Sequence, residues 1–155
     1  MKNKTDGVLM EIKVKRLTET AQMPIMATDG AAGFDLYADT DKESAPIYPG
    51  ETKLFGTGVA VAIPKGYFGA IYARSGLATK RGLRPANCVG VIDSDYRGEI
   101  MVALHNDSHT QQTVNTHERI AQLIIQSYSD IKLVEVDNLD DTERGASGFG
   151  STGSN

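Results

Sequence analysis

Asp93-Ser94-Asp95-Tyr96 places two carboxylates, a hydroxyl and an aromatic ring directly after the apolar run Gly90-Val91-Ile92. An apolar run that turns back through such residues into Arg97-Gly98 predicts a hairpin-like feature. Turn chemistry by itself accounts for Asp93, Ser94 and Asp95, and that reading stands beside a functional one. Arg74-Ser75-Gly76 follows an apolar strand predicted over 67–73 and presents a guanidinium, a hydroxyl and an approachable backbone at a strand end. This suits an oxyanion, with a surface turn ahead of a helical turn as the competing reading. The last such group is Arg144-Gly145-Ala146-Ser147-Gly148-Phe149-Gly150-Ser151-Thr152-Gly153. It offers flexible backbone N–H donors, hydroxyls and a cation for a bidentate phosphate contact. A solvated Gly/Ser tail is the alternative by composition. Phe149 argues against that alternative, because an isolated aromatic in a polar tail is costly unless it stacks on something.

Several formal motif matches fail on context. Gly148 to Gly153 fits G-x-G-x-x-G, but the sequence continues only to Asn155, leaving no helix to supply a pyrophosphate site. Gly145 and Gly150 have P-loop spacing, yet Ser151 stands where lysine is required. Asp93-x-Asp95 opens like an EF-hand loop, but Arg97 occupies a ligand position and Leu104 replaces the bidentate glutamate. His105 and His109 are four apart, with Asn106 in place of the zincin glutamate, so both are expected to be polar loop residues. Gly145-Ala146-Ser147-Gly148-Phe149 is no nucleophile elbow.

What must position these groups is a chain of 155 residues with 16 basic and 20 acidic side chains, a formal charge of -4. That balance argues against a nucleic-acid backbone as partner, since such binders need a cationic face. The single cysteine, Cys88, excludes an intrachain disulfide and is expected to be a small core residue of a strand. A reducing intracellular, cytoplasmic setting follows, with no membrane association: the longest aliphatic run, Val59 to Ile63, is far too short to span a bilayer. Period-two alternation predicts strands over 9–14, 34–38, 53–63, 67–73, 87–92, 100–104, 119–126 and 131–136. Pro24, Pro46, Pro49-Gly50, Pro64-Lys65-Gly66 and Gly82 separate them. One helical turn is expected over 76–81, too short for a βαβ crossover. The expectation is an all-β, single-domain barrel or jelly-roll-like fold over 1–137, with 138–155 as linker and Gly-rich tail.

In order along the chain, Ala31 to Ala38, Arg74-Ser75-Gly76-Leu77-Ala78, Gly90 to Gly98, Arg119 to Ile124 and Arg144 to Gly153 closely resemble the five motifs of the trimeric dUTPases. The resemblance covers nearly the whole chain. It implies a β-barrel homotrimer that hydrolyses dUTP to dUMP and pyrophosphate, limiting uracil incorporation into DNA and supplying dUMP. By position it implies that Asp93 is the general base for water attacking the α-phosphorus. Tyr96 would lie flat against the deoxyribose and leave no space for a 2′-hydroxyl. Asn87 and the Gly90-Val91 backbone would read the uracil edge, rejecting cytosine at about 1–3 kcal/mol for each unpaired group. Arg74, Ser75, Gly76 and Gln122 would contact the phosphates, with Asp35 supporting them from behind or touching a metal through water.

From the fifth motif the resemblance implies that Arg144 contacts the γ-phosphate, Phe149 stacks over uracil, and Gly150 and Ser151 complete a tail that closes on the substrate. Ser147 departs from a glycine common at its position. Mg²⁺ would arrive on the phosphates with its waters, with no direct protein ligand. The sites would be shared between subunits: the third motif from one chain, the first, second and fourth from a neighbour, the tail from the remaining one. A dCTP deaminase of the same fold and a dUTP-gated interaction module are the alternatives, tested respectively by ammonia release from dCTP and by nucleotide-dependent pull-down.

Overall fold

In Met101–Asn106 the side chains of Val102, Leu104 and Asn106 are buried while Met101, Ala103 and His105 turn outward. That is the period-two signature of a strand with one face on a core. The structure, a computed structural model, describes residues 10–40 and 42–147. Among them are eleven strands and one helix: β1 Lys13–Arg16, β2 Phe34–Tyr37, β3 Ser44–Ile47, β4 Thr52–Gly56, β5 Val59–Ala62, β6 Tyr67–Tyr72, α1 Ser75–Arg81, β7 Leu83–Pro85, β8 Gly90–Ile92, β9 Met101–Asn106, β10 Gln112–Asn115 and β11 Arg119–Ser127. All pairings are antiparallel, in sheets ordered β2-β11-β6-β8, β4-β9-β7, β1-β5 and β10-β3. One apolar cluster joins the four sheets, with Leu36, Ile47, Phe55, Val59, Leu83, Val102, Leu104, Val114 and Ile120 at 2% exposure or less. The fold is all-β and jelly-roll-like, as expected, and no helix among the described residues is long and apolar enough to cross a membrane.

The differences from the sequence expectation have local causes. The run predicted over 53–63 is two strands in different sheets, broken at Thr57-Gly58, where Gly58 takes φ +64° and the Thr57 hydroxyl donates to the Ile100 carbonyl at 2.7 Å. The strand predicted over 87–92 begins only at Gly90, because residues 85–89 turn, with Cys88 N–H on the Pro85 carbonyl and Cys88 at φ +62°. Cys88 is therefore exposed rather than a core residue. Pro46, read as a separator, lies inside β3, whose Pro46 position faces Thr113 of a strand that pairs with β3 alone. His105 is half-buried in β9, with Nδ1 2.8 Å from Thr52 Oγ1, whereas His109 does lie in an exposed bend. No strand forms over 131–136: Ile131, Leu133, Val134 and Val136 are 81%, 91%, 66% and 55% exposed.

Among the described residues every buried side-chain nitrogen and oxygen has a hydrogen-bond partner. Asn106, fully buried, donates through Nδ2 to the carbonyls of Ile47 and Thr110 and accepts at Oδ1 from the Ser108 N–H and hydroxyl. Helix α1 ends at Gly82, whose φ of +66° lets its N–H reach back to the carbonyls of Ala78 and Leu77. Lys80 and Arg81 occupy its last turn, the favourable end for cations.

Candidate functional site

The sheet β2-β11-β6-β8 carries most of the residues singled out above. Gln122 of β11 stands opposite Asp35 of β2 on one side and Tyr72 of β6 on the other. This register brings the end of β6 against Asp35. Arg74 Nε donates to Asp35 Oδ1 at 2.9 Å, and Arg119 Nη1 donates to Asp35 Oδ2 at 3.1 Å. The carboxylate is only 8% exposed, so it holds two guanidiniums in a partly desolvated place where charge-assisted bonds are strong. Gln122 Nε2 donates to the Ala73 carbonyl at 2.8 Å, tying down the backbone just before Arg74. Two cations against one anion leave this group net positive, with Ser75 and Gly76 exposed beside it at the start of α1. A Cβ built on Gly76 would meet nothing within 4 Å. Gly76 is therefore not demanded by packing within the chain, and the open space leaves its backbone approachable.

A second group gathers around β8. Asn87, Gly90 and Val91 line a cavity of about 220 Å³, walled on its apolar side by Leu54, Ile71 and Met101. Gly90 sits tightly there: a Cβ would lie 3.1 Å from Ile71 Cβ and 3.2 Å from Asn87 Nδ2. Val91 also lines a larger cavity of about 980 Å³ together with Asp93, Ser94, Asp95 and Arg97. Beyond β8 the chain turns at Asp93 to Tyr96, closed by Tyr96 N–H on the Asp93 carbonyl at 3.1 Å. Arg97 Nη1 braces the turn from outside, donating to the carbonyls of Ser94 and Tyr96 at 2.6 and 2.8 Å. Asp93 and Tyr96 are exposed, and Tyr96 Oη donates to the Glu99 carbonyl at 2.9 Å.

The two groups do not meet within one chain. In the β6–β8 ladder Ile71 faces Gly90 and Gly69 faces Ile92, so the same register carried one step on sets Asp93 beside Phe68, near the start of β6, while Arg74 lies beyond its end. At about 3.3 Å per strand residue they are on the order of 15–20 Å apart. Arg144 touches neither group among the described residues: its Nε donates to the Ser147 carbonyl at 3.2 Å. Phe149, Gly150 and Ser151 lie outside the described residues.

Reading the sequence missed the part of Arg119, which it quoted without a role, and of Leu54 and Met101 on the cavity wall. Arg119 and Asp35 are 84 residues apart, and only the β11–β2 pairing unites them. Arg84 forms a paired contact with Asp107, at 2.6 and 3.1 Å, and its Nη1 lies 3.4 Å from Cys88 Sγ. The side-chain hydrogen bond to Asp107 is the main cause raising the Arg84 pKa above its ordinary value; desolvation opposes it and the Asp107 charge adds to it.

Comparison with known proteins places these features in context. Residues 19–153 match the family model described as dUTPase. The deoxyuridine 5'-triphosphate nucleotidohydrolase of Nautilia profundicola is 49% identical over 144 residues, which cover 93% of this chain and 99% of that protein. The protein of the same name from Caulobacter vibrioides is 47% identical over 148 residues, covering 93% of this chain and 95% of that one. Among solved structures, the Staphylococcus bacteriophage 80alpha dUTPase with dUPNHPP superposes with a TM-score of 0.83 at 29% identity, covering 93% of this chain and 99% of that one. A variant dUTPase from phage phi11 of S. aureus, in which the coordination of a structural Mg(II) ion is described, gives 0.76 at 25% identity, covering 85% and 100%.

Proposed function

The chain belongs to the dUTPase family, and from that premise we propose that it is a dUTP diphosphatase in which Asp93 activates the attacking water. The water oxygen bonds to the α-phosphorus, the bridge from that phosphorus to the β-phosphate breaks, and dUMP and pyrophosphate leave. Asp93 orients the water and takes its proton, a role that its exposed place at the head of the turn leaves open to substrate. The observation that carries this reading is that one turn holds Asp93 and Tyr96 together, directly after the β8 backbone that lines the Asn87 cavity. A cavity of about 220 Å³ with one apolar wall suits a single pyrimidine ring. Asn87, Gly90 and Val91 read its polar edge, and Tyr96 blocks a 2′-hydroxyl on the sugar.

Arg74, Ser75, Gly76 and Gln122 receive the triphosphate, the arginine being oriented by Asp35. Such catalysis rests on positioning and charge neutralisation more than on covalent chemistry. Mg²⁺, arriving with the substrate, would supply neutralisation of phosphate charge.

Because Asp93 and Arg74 are well separated in one chain, the complete site is shared between copies in a homotrimer. The exposed apolar residues 131–139 support association, since Leu133 and Leu139 at 91% and 87% exposure are costly in water. The segment from 138 onward then serves as the tail that closes with Arg144, Phe149, Gly150 and Ser151 on the nucleotide. By removing dUTP the enzyme limits uracil incorporation into DNA and supplies dUMP. The test is pyrophosphate release from dUTP, dCTP, dTTP and UTP with Mg²⁺. Release from dUTP alone is expected; equal turnover of UTP contradicts the role given to Tyr96, and inert dUTP overturns the whole reading.

A further inference from the structure

The end of the Tyr96 ring occupies the place where any residue but glycine at position 98 would carry a side chain. A Cβ built on Gly98 would stand 2.4 Å from Tyr96 Oη, 2.6 Å from Cζ and 3.0 Å from Cε2. Carbon atoms not bonded to each other rest about 3.5–4.0 Å apart, so the overlap is severe. The Gly98 backbone itself is unexceptional, for it is absent from the glycines with positive φ. Position 98 can accept the conformation of other residues but not their volume. The three atoms nearest the hypothetical Cβ are all in the Tyr96 ring.

The hydroxyl of the ring is held by a bond from Oη to the Glu99 carbonyl at 2.9 Å. Glu99 is fixed in turn because its Oε1 accepts the Gly58 N–H at 2.8 Å. Tyr96 is 43% exposed, so little core packing resists a displacement of its ring. An added methyl group would move the ring rather than unfold the chain.

We infer that Gly98 is a positioning residue for sugar selection. By leaving room for the ring end it sets how far Tyr96 stands from the sugar, and a side chain at 98 degrades the choice between deoxyribo- and ribonucleotide. The inference rests on the reading of Tyr96 as the ring that lies against the sugar. A ring displaced from its place no longer fills the space of a 2′-hydroxyl, so UTP gains entry and the ratio of kcat/KM for dUTP to that for UTP falls.

The experiment compares the native protein, Gly98→Ala, Tyr96→Ala and the double variant in pyrophosphate release from dUTP and UTP with Mg²⁺, alongside thermal melting. Gly98→Ala is expected to lower the dUTP-to-UTP ratio about tenfold or more, the scale of a misplacement of about 1 Å. Its melting temperature is expected to stay within about 4 °C of the native value. In the double variant, Gly98→Ala should add nothing to the effect of Tyr96→Ala, because the ring it acts through is gone. Native selectivity in Gly98→Ala, with selectivity lost in Tyr96→Ala, overturns the inference while the role of Tyr96 stands. Additive effects in the double variant, or a large melting loss with proportional loss on both substrates, overturn it by making Gly98 merely structural. Native selectivity in Tyr96→Ala overturns both claims at once, since there is then no sugar gate to set.

Discussion

Asp93 stands at the head of a turn whose geometry other groups maintain: the Tyr96 N–H reaches its carbonyl, and Arg97 holds the carbonyls of Ser94 and Tyr96. The Asp93 carboxylate, which no described hydrogen bond engages, can thus be changed without disturbing its surroundings. Asp93→Asn keeps the shape and removes the base, so pyrophosphate release should fall by at least about a hundredfold, within the range for a positioned general base. Binding of a non-hydrolysable dUTP analogue, followed by calorimetry, should persist. Loss of binding together with turnover would assign Asp93 to substrate holding instead. Asp35 is the opposite kind of residue: buried, doubly bonded and fixed in place by its two arginines. In the proposed site its effect on a phosphate would be exerted through Arg74, whose long side chain would otherwise lose rotamer freedom on binding.

The strands carry these residues only because the chain breaks where it does. Between β4 and β5, Gly58 adopts φ +64°, and a Cβ there would lie 2.4 Å from Asp39 Oδ2 and 2.6 Å from Ala21 Cβ. Thr18 and Thr20 both donate to the Asp39 carboxylate, so the crowded space lies within a hydrogen-bonded knot rather than beside one mobile group. Gly58→Ala therefore combines left-handed backbone strain with overpacking, about 1–2 and 1–3 kcal/mol respectively. Urea unfolding should show a loss of about 2–5 kcal/mol, and an unchanged midpoint would mean that the turn re-forms freely. The same turn anchors Glu99 through its Gly58 N–H, so this element supports the carbonyl that holds Tyr96.

At the scale of the molecule, the proposed site draws on two groups that one chain keeps apart. Arg74 with Asp35, and Asp93 with Tyr96, lie toward opposite ends of the β6–β8 pair. A closed ring of identical chains brings one end of each copy against the other end of its neighbour, as heterologous contacts do. Asp93→Asn and Arg74→Ala should each be nearly inactive alone. Unfolded together and refolded as mixed assemblies, they should recover activity, because about one site in four then draws an intact Asp93 and an intact Arg74 from different chains by random assortment around the ring. Pyrophosphate release that stays at the level of the separate variants would show that both residues serve from the same chain.

Much of this was legible in the sequence because it depends on near neighbours. The alternation in Met101–Asn106, the helical turn before Gly82 and the clustering of Asp93 with Tyr96 are properties of a few consecutive residues, and backbone period and turn chemistry act at that range. Alternation failed over 131–136, where the pattern is present but the segment pairs with no strand and stays exposed. The exposure of Cys88, the split at Gly58, the two arginines on Asp35 and the space that Gly98 keeps for Tyr96 were decided only in three dimensions. The physical reason is that volume exclusion, desolvation and ion pairing act between groups brought together by strand register, and the sequence contains the groups but not their separations.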